Sequence, residues 1–408
     1  MVIRLPKGTD VIGPPQSSRW REALAMWESL SASYGYELVI TPTFEFTELF
    51  ERGVGETNEV VTKQMYTFPD RRGRSLSLRP EGTAGVMRAY LKKGGTGLWK
   101  VAYSGPMFRY EQPQGGRRRQ FWQVGVECIG SPSEAADVEV IALAETFLAK
   151  VGVETDLLIN SLGDSRCRGA YLADLKEVLA RSRDALCENH LELVDLNPLR
   201  ILDCSTCQPD PNALPDIASY WCPDCRGHFR RVRDGLDGLG VKYRRSARLV
   251  RGLDYYSRTT FEFVSTTLET TQATVLGGGR YDGLAEALGG KPAPGVGFAA
   301  GIDRILMAAP PGPGSALDVF LVAEKPVTPT QLMEWAAPLR QAGLRVGFDL
   351  DGRSVKAQFR AATRSGAKYV GVVSGLRMEV REGYDRETLF KEGLGDWAEK
   401  AAIKEGRS

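Results

Sequence analysis

Arginine, glutamine and glycine are concentrated between two strand-like segments in the first third of the chain. The segment FRYE at 108–111 leads into a run of Gln, Pro, Gly and Arg, and QFWQVGVE at 120–127 then resumes strand-forming sequence. This order predicts a strand, a basic loop and a second strand. A guanidinium group matches two phosphate oxygens at once, so Arg109 beneath such a loop suits a polyphosphate. A plain hairpin with a solvated arginine tip is an equal alternative.

Alternate residues of a strand share a face, so Gln123, Gly125 and Glu127 point the same way. Glutamine and glutamate beside a glycine could bind an ammonium group, although an exposed polar face would have the same pattern. The triple glycine at 277–279 allows the backbone to approach a ligand closely, or simply forms a turn or bulge. These residues are candidates for a binding site.

The chain contains only two histidines, His190 and His228. Both lie in the middle third of the chain, so Ser-His-Asp triads, HExxH zinc sites and histidine general bases are excluded elsewhere, and the phosphate-loop pattern GxxxxGK[ST] is absent. Any catalysis must depend on Arg, Glu, Gln, Tyr and backbone groups.

Four of the seven cysteines form two CxxC pairs, Cys204 with Cys207 and Cys222 with Cys225. This spacing is typical of a tetrahedral structural zinc site with four thiolate ligands. A thiol-rich loop without metal and a pair of disulfides are the alternatives, and disulfides are disfavoured in the cytoplasm. The remaining cysteines are interpreted as ordinary buried thiols: Cys128, Cys167 and Cys187.

The last ninety residues contain a basic segment without any acidic residue between Gly352 and Met378. Within it, Lys356, Arg360 and Arg364 recur every four residues and so share one face of a predicted helix. The face is either simply solvated or a surface for nucleic-acid phosphates.

The elements that position these residues follow from composition and periodicity. With 408 residues, 42% hydrophobic and 25% charged, and a net charge of +2, the chain is expected to form two or three globular domains. No apolar run of membrane-spanning length is present, and the N-terminus lacks an apolar leader, so we expect a cytoplasmic protein that does not bind membranes. Helical spacing predicts a helix over 18–34 and another over 297–307. Strands are expected over 36–41, 101–110 and 250–264.

Changes in composition and in the pattern of predicted strands and helices divide the chain into five parts. Residues 1–165 and 246–310 mix strands and helices and form the two parts of one core, and the loop-rich residues 166–245 form an insertion with the CxxC pairs. Residues 311–317 are a Pro- and Gly-rich linker, and residues 318–408 alternate strand and helix as a separate α/β domain.

Five sequence motifs resemble those of histidyl-tRNA synthetases, a class II family. They are RPEGT at 79–83, FRYE followed by RRRQFWQVGVE at 108–127, LVRGLDYYSRT at 249–259, GGGRYDGL at 277–284 and GFAAGIDR at 297–304. The resemblance covers nearly the whole chain in the family's order. It implies an α+β catalytic core built on an antiparallel sheet, with a helical, zinc-like insertion and a C-terminal α/β anticodon-binding domain.

The resemblance also implies the function of individual residues. Arg109 and Arg251 would be catalytic, both at the α-phosphate of ATP. The positions matching histidine-binding residues are Glu81, Gly82, Thr83, Arg109, Gln123, Glu127, Arg251, Tyr255 and Tyr256. The ATP-binding positions are Arg109, Glu111, Arg117, Arg119 and Arg304. The tRNA-binding positions are Gln112, Gln114, Lys356, Arg360 and Arg364. The family loop commonly has Glu-Arg-Pro-Gln where this chain has Gln112 in place of the arginine.

The implied activity is that of a histidine–tRNA ligase, which activates L-histidine with ATP and Mg²⁺ and transfers it to the 3′ end of tRNA(His). The resemblance further implies a homodimer formed through the region around Pro42, and the CxxC pairs add a structural Zn²⁺. The alternative is a catalytically inactive, histidine-sensing regulatory paralogue of a histidine-biosynthesis enzyme. Such paralogues usually lack the anticodon domain and the ATP arginines, which this chain retains.

Overall fold

A computed structural model describes residues 3–56, 58–111, 118–204, 206–269, 273–311 and 317–406. These residues divide into two compact units. One contains the described residues up to 12 together with 20–311, and the other contains 13–19 and the described residues from 317 onward. Each unit has its own hydrophobic core.

Helix α1 (Gln16–Ser33) crosses the boundary between the two groups of residues. The other helices of the first unit are α2 (Thr47–Val54), α3 (Thr83–Lys92), α4 (Glu134–Val151), α5 (Ser165–Arg181), α6 (Leu193–Leu196), α7 (Leu199–Leu202), α8 (Pro223–Gly238), α9 (Leu284–Ala287) and α10 (Ile302–Ala308). Its strands are β1 (Glu37–Leu38), β2 (Phe44–Phe46), β3 (Thr67–Pro69), β4 (Ser75–Leu78), β5 (Trp99–Phe108), β6 (Gln120–Ile129), β7 (Thr155–Ser161), β8 (Arg244–Arg245), β9 (Ser257–Ser265), β10 (Thr274–Arg280) and β11 (Gly295–Gly301).

Within the described residues, the main sheet has eight strands in the order β1-β5-β6-β11-β10-β9-β7-β8. Its six central strands are antiparallel, and the two edge strands β1 and β8 pair in parallel. Residues such as Val124, Val126 and Phe298 point to one face, where they pack with Phe147 of α4 in the largest hydrophobic cluster. The opposite face of the same strands is therefore free to carry polar groups.

Helix α4 is fixed to the sheet by a buried ion pair between Arg280 at the end of β10 and Asp137. Both side chains are fully buried, and Arg280 also donates to the carbonyl oxygens of Ser131 at 3.0 Å and Ser133 at 2.9 Å. A buried guanidinium is tolerated only when its N–H donors are satisfied, and these contacts achieve that. The side chain of Ser133 begins α4, and Gly152 ends it in the left-handed conformation with φ 80°.

The chain between β7 and β8 packs in two places. Tyr171 and Leu175 of α5 form a separate cluster with Ile201 of α7. Phe229 and Val232 of α8 instead belong to the main core. Only part of the segment 166–245 therefore has a core of its own.

The second unit contains β12 (Val319–Ala323), α11 (Pro329–Gln341), β13 (Val346–Phe348), α12 (Val355–Ser365), β14 (Tyr369–Ser374), β15 (Arg377–Glu382), β16 (Asp385–Phe390) and α13 (Leu394–Lys404). Its described strands form a sheet in the order β13-β12-β14-β15-β16, with the first three parallel and the last two added antiparallel. The predicted α+β fold class, an antiparallel core with a C-terminal α/β unit, is confirmed.

Several local predictions were wrong. The segment predicted as a helix from residue 297 is strand β11 as far as Gly301, and only α10 after it is helical. The strand expected from residue 250 begins at Ser257, and the one expected over 36–41 pairs only at Glu37–Leu38. In the described part of the chain, no helix combines the length and the apolar character that crossing a bilayer requires.

Candidate active site

A cavity of about 750 Å³ opens on the polar face of the main sheet. It is lined by the side chains of four arginines, Arg109, Arg118, Arg251 and Arg304, which come from separate segments of the chain. Arg109 follows β5, Arg118 precedes β6, Arg251 precedes β9 and Arg304 lies on α10. The fold therefore concentrates positive charge in one concave space, as binding of a polyphosphate requires.

The floor of the cavity is made of residues with small side chains. Strand register aligns Gly125 of β6 with Ala299 of β11 and Gly277 of β10 across the sheet. A Cβ atom on Gly277 would lie 2.3 Å from the guanidinium of Arg251, so only glycine leaves room for that arginine. The triple glycine is part of a strand with a bulge at either end, and it serves close approach.

Arg251 is held by Glu262 of β9. Its Nη1 donates a hydrogen bond to Glu262 Oε1, and Thr274 Oγ1 donates to the other carboxylate oxygen at 3.0 Å. Burial disfavours the charged guanidinium, but Glu262 outweighs this and raises the pKa of Arg251 above its ordinary value. The buried Nε of Arg251 has no hydrogen-bond partner among the described residues, so it remains available to a ligand.

Arg109 is oriented from two sides. Its Nε donates to the carbonyl oxygen of Pro80 at 2.9 Å, and its guanidinium lies over the ring of Phe121 at 5.4 Å. Glu111 is 3.9 Å away as an ion-pair partner and also lines the cavity. The contact with Pro80 ties Arg109 to the segment that begins α3.

Two arginines at the end of the basic loop lie in different places, and only Arg119 of these two was predicted as a site residue. Arg118 lines the cavity and forms an ion pair with Asp303 at 2.9 Å. Arg119 is directed over the ring of Tyr110 at 3.8 Å and is not part of the described cavity lining. The other predicted loop residues, Gln112, Gln114 and Arg117, lie outside the described residues.

A buried polar cluster adjoins the cavity on the same face of β6. Glu127 is fully buried and accepts hydrogen bonds from Thr83 Oγ1 at 2.7 Å and from Tyr281 Oη. Desolvation raises the pKa of Glu127 to about 8, while the two hydroxyl donors partly oppose the rise. A carboxylate in this state gains strongly from a cationic or N–H-bearing ligand.

Glu81 positions the beginning of α3. Its carboxylate accepts the backbone N–H groups of Thr83 at 2.7 Å and Ala84 at 2.8 Å. Burial raises its pKa, and these N–H groups oppose the rise. The same turn needs glycine at Gly82, because a Cβ there would lie 2.6 Å from the ring of Tyr103.

Two buried polar atoms on the polar face of β5 and β6 lack hydrogen-bond partners among the described residues: Tyr103 Oη and Gln123 Oε1. Tyr103 lies against Gly125, where a Cβ would be 2.4 Å from its ring. Buried polar groups normally have partners, so an unpartnered donor and acceptor on the face that carries Glu127 indicate a ligand pocket.

The two adjacent tyrosines of the LDYY segment lie in a turn before β9 and pack against each other, with ring centroids 4.7 Å apart. Tyr255 also contacts the ring of Tyr281 at 5.8 Å. Tyr256 is buried, and its backbone oxygen accepts a hydrogen bond from Arg168 at 2.6 Å. Tyr255 is thus the member of the pair that adjoins the Glu127 cluster.

In the second unit, Lys356, Arg360 and Arg364 all lie exposed on one face of α12. Gln358 and Ala362 form the buried face of the same helix. Ser354 caps its beginning, and Gly366 ends it with φ 64°. The predicted basic face therefore exists as a continuous surface on a well-delimited helix.

The cysteine prediction needs correction. The structure does not bring Cys204, Cys207, Cys222 and Cys225 together in one site. The first pair clusters with Cys187 and His190, whereas the second pair clusters with Asp164 and Cys167. The two CxxC pairs are adjacent only in sequence, because α8 carries Cys225 toward α5. Cys167 and Cys187 are therefore not isolated buried thiols.

Sequence reasoning missed four residues of the site. They are Tyr103, Arg118, Glu262 and Tyr281. Glu262 is the register partner of Gly277, so strand pairing would have identified it, and Tyr281 lies in the GGGRYDGL motif directly after β10. Nothing local distinguished Tyr103 from other strand tyrosines.

The chain matches the family model described as histidyl-tRNA synthetase over residues 8–186 and 229–305. It is 45% identical over 383 residues to the histidine–tRNA ligase of Anaeromyxobacter dehalogenans, covering 92% of each chain. It is 42% identical over 390 residues to that of Halothermothrix orenii, covering 93% of each. The crystal structure of the apo histidyl-tRNA synthetase of S. aureus superimposes with a TM-score of 0.77 at 32% identity, covering 98% of this chain and 100% of the other. The chain therefore belongs to the histidyl-tRNA synthetase family.

Proposed function

We propose that the arginine-lined cavity binds ATP, that the adjoining Glu127 cluster binds L-histidine, and that the two together form histidyl-adenylate. The activity is that of an ATP-dependent histidine–tRNA ligase, as membership of the family implies. The assignment of residues rests on one observation. Arg109 and Arg251 line the same cavity, and the buried carboxylate of Glu127 belongs to the adjoining cluster.

ATP fits the cavity by charge and by shape. Arg109 and Arg251 come from separate segments, and the direction of each guanidinium is fixed, by Pro80 O and the ring of Phe121 for Arg109 and by Glu262 for Arg251. Arg304 and Arg118 extend the positive lining. Mg²⁺ would neutralise phosphate charge and orient the leaving pyrophosphate, and the carboxylate oxygens of Glu111 and Glu262 are the ligand type that it prefers.

Histidine fits the buried cluster by hydrogen-bonding capacity. Glu127 already accepts two hydroxyl donors, and a cationic ligand would favour its ionised form, which has room for further donors. An N–H group of the substrate would meet Glu127, with Gln123 Oε1 as a second acceptor and Tyr255 closing the side. Glu81, Gly82 and Thr83 shape the pocket through the beginning of α3. Tyr256 supports Tyr255 by packing.

The reaction needs positioning and positive charge rather than a general base. An oxygen of the ionised histidine carboxylate forms a bond to the α-phosphorus of ATP, and the bond from that phosphorus to the bridging oxygen of pyrophosphate breaks. Arg109 and Arg251 are placed to bind the α-phosphate oxygens as charge accumulates on them. The terminal ribose hydroxyl of tRNA(His) then attacks the carbonyl carbon of the adenylate, and AMP leaves.

The tRNA is proposed to bind in part through the second unit. Lys356, Arg360 and Arg364 form an exposed basic stripe on one face of α12, and such a stripe suits contact with RNA phosphates. We therefore interpret residues 318–408 as the anticodon-binding domain, joined by residues 311–317 to the core of 1–165 and 246–310 with its insertion 166–245.

A homodimer is proposed through the region around Pro42. The strands β2, β4 and β3 form a three-stranded sheet in that order. In it, Phe46 of β2 and Phe68 of β3 both pair with Leu76 of β4. Phe46 is 44% exposed and Phe68 40%, and nearby Ile40 is 82% exposed. Apolar residues grouped on one surface mark an interaction site. Sedimentation equilibrium should show a dimer for the parent protein and a monomer for the Phe46→Glu/Phe68→Glu variant.

The decisive experiment is ATP–pyrophosphate exchange measured with each amino acid in turn. Histidine alone is expected to support exchange, because the chain belongs to the histidyl-tRNA synthetase family. A histidine-binding protein without exchange would instead be the regulatory paralogue. The retained Arg109, Arg251 and Arg304 in one cavity favour the enzyme.

A further inference from the structure

A cluster of three sulfur atoms and one imidazole nitrogen lies in the insertion between β7 and β8. Cys187 precedes the 3₁₀ turn Glu188–His190 and His190 ends it, and Cys204 and Cys207 follow α7. Their ligand atoms all lie within 4.8 Å of one another. We propose that these four residues bind one structural zinc ion as a Cys₃His site, with C-x₂-H and C-x₂-C spacing.

The distances agree with tetrahedral coordination. Zn–S bonds of about 2.3 Å and Zn–N bonds of about 2.0–2.1 Å place the ligand atoms of a tetrahedral site about 3.4–3.8 Å apart. In the structure Cys187 Sγ is 3.6 Å from Cys207 Sγ. His190 Nδ1 is 3.2 Å from Cys187 Sγ and 3.3 Å from Cys207 Sγ. For these three atoms a shift of a few tenths of an ångström admits the ion, and Cys204 Sγ lies within 4.8 Å of each of them.

Backbone groups already favour thiolates at this place. The N–H groups of Thr206 and Cys207 both donate to Cys204 Sγ at 3.3 Å, and the N–H of Cys187 donates to Cys207 Sγ at 3.3 Å. Turning backbone donors toward ligand sulfurs stabilises their negative charge in a metal site. Four protein ligands leave no open coordination position, so the ion is structural.

The other sulfur cluster differs in one respect. Its carboxylate member, Asp164, accepts hydrogen bonds from two guanidinium nitrogens of Arg166, at 2.7 and 3.1 Å. Asp164 also accepts the backbone N–H of Arg166 at 3.0 Å and so caps the beginning of α5. Cys167, Cys222 and Cys225 are then three sulfurs beside a carboxylate that is already neutralised. This cluster provides the matched control, because Cys222 belongs to a CxxC pair of the same spacing.

The zinc ion would hold a segment that borders the cavity. Cys204 and Asp203 line the cavity, and Arg200 of α7 donates to Gly252 O at 3.3 Å and to Asp254 Oδ1. The site thus ties the turn at Cys187 to a segment that contacts the residues directly after Arg251. Local order of residues 187–207 is the property that the ion would control.

The test uses the full-length protein purified without chelator. Elemental analysis should find one zinc ion per chain, and Co²⁺ replacing it should give the visible absorption of a tetrahedral site with thiolate ligands. His190→Ala and Cys187→Ala should lose the ion. His190→Cys should retain it and shift the cobalt spectrum to that of four thiolates, whereas Cys222→Ala should retain it with an unchanged spectrum.

A second measurement avoids substitutions that impair folding. In the native protein, Cys187, Cys204 and Cys207 should resist alkylation until a zinc chelator is added, and the alkylation rate of Cys222 should not respond to the chelator. Absence of zinc from the native protein, or its loss with Cys222→Ala and retention with His190→Ala, would overturn the assignment. Alkylation of Cys187 at the same rate with and without chelator would overturn it as well.

Discussion

Replacing Arg251 by alanine should abolish most of the adenylation activity without unfolding the protein. The guanidinium lies over Gly277 and is aimed by Glu262, so its position is fixed before the substrate arrives. A fixed donor stabilises the transition state more than the ground state, because charge develops on the α-phosphate only during attack. The effect should therefore appear in the rate of pyrophosphate exchange rather than in histidine binding.

The expected magnitude follows from the number of donors lost. Removing one preorganised donor to developing charge typically costs on the order of 10²–10³ in rate, or about 2.7–4 kcal/mol. The buried Nε of Arg251 lacks a protein partner in the described structure, so at least one donor is available to the phosphate. Lysine should restore less than about tenfold, since its ammonium keeps the charge but would pair with Glu262 and lacks the planar fork.

Loss of the arginine also leaves Glu262 without its ion-pair partner, so stability must be measured separately. The double variant Arg251→Ala/Glu262→Gln removes both charges. Arg245→Ala is a matched control, because Arg245 also pairs with a carboxylate, Asp216, and lies 5.3 Å from the ring of Trp221, away from the cavity lining. Exchange is measured at saturating histidine, with circular dichroism as the check on folding.

The proposed role of Arg251 fails if Arg251→Ala exchanges pyrophosphate at close to the parental rate. It also fails if the loss of activity follows the loss of folded protein across the variants. Equal losses in Arg251→Ala and Arg245→Ala would show that removal of any arginine–carboxylate pair is responsible. The prediction requires a large loss of pyrophosphate exchange in Arg251→Ala and near-parental exchange in Arg245→Ala.

Two further predictions concern the buried carboxylate and the basic helix. The pKa of Glu127 is raised from 4.5 to about 8, so between these values the native ligand-free protein holds a proton that the unfolded chain has released, and the free energy of unfolding should fall as pH rises. This pH dependence contributes up to about 1.4 kcal/mol per pH unit, and Glu127→Gln should remove it. If urea unfolding of the parent protein and of Glu127→Gln showed the same pH dependence, the prediction would be wrong. Changing Lys356, Arg360 and Arg364 together to glutamine should make the logarithm of tRNA affinity fall less steeply with the logarithm of salt concentration, by about two units of slope, with pyrophosphate exchange unchanged. An unaltered slope would assign the RNA phosphates to another surface.

The helices with clear signals at both ends were predictable from the sequence. Helix α12 has Ser354 before it and Gly366 after it, and α1 ends before Gly35, so local chemistry sets their limits. The segment from Gly297 was predicted as a helix from its local sequence alone. Its pairing with β6 on one side and β10 on the other decides that residues 297–301 form a strand. Pairing with a strand as distant in sequence as β6 overrides such weak local preferences.

Residue types that bind charge were predictable, but their grouping was not. Gln123 and Glu127 were placed on one face by alternation along a single strand, and the register of β6 bears this out. Tyr103 and Tyr281 were not predicted because their contribution to the site depends on how their rings pack. Tyr103 fits only where two distant glycines leave room for its ring. Single-strand alternation identifies a face, whereas the pocket on it requires several strands.

The cysteines show the same limit in a sharper form. Equal CxxC spacing made the pairs Cys204–Cys207 and Cys222–Cys225 natural partners in sequence, because a metal site needs four ligands and each pair supplies two. Partner choice is decided in space, however, and the 3₁₀ turn at His190 lies nearer to the first pair than the second pair does. Histidine scarcity was used to exclude histidine chemistry from the core, and that reasoning did not consider a histidine as a ligand in the insertion. Cys187 and His190 form a CxxH pair and precede Cys204 by seventeen and fourteen residues. A CxxH pair at this distance before a CxxC pair is therefore a candidate metal-binding pattern, and the identical spacing of the two CxxC pairs drew attention away from it.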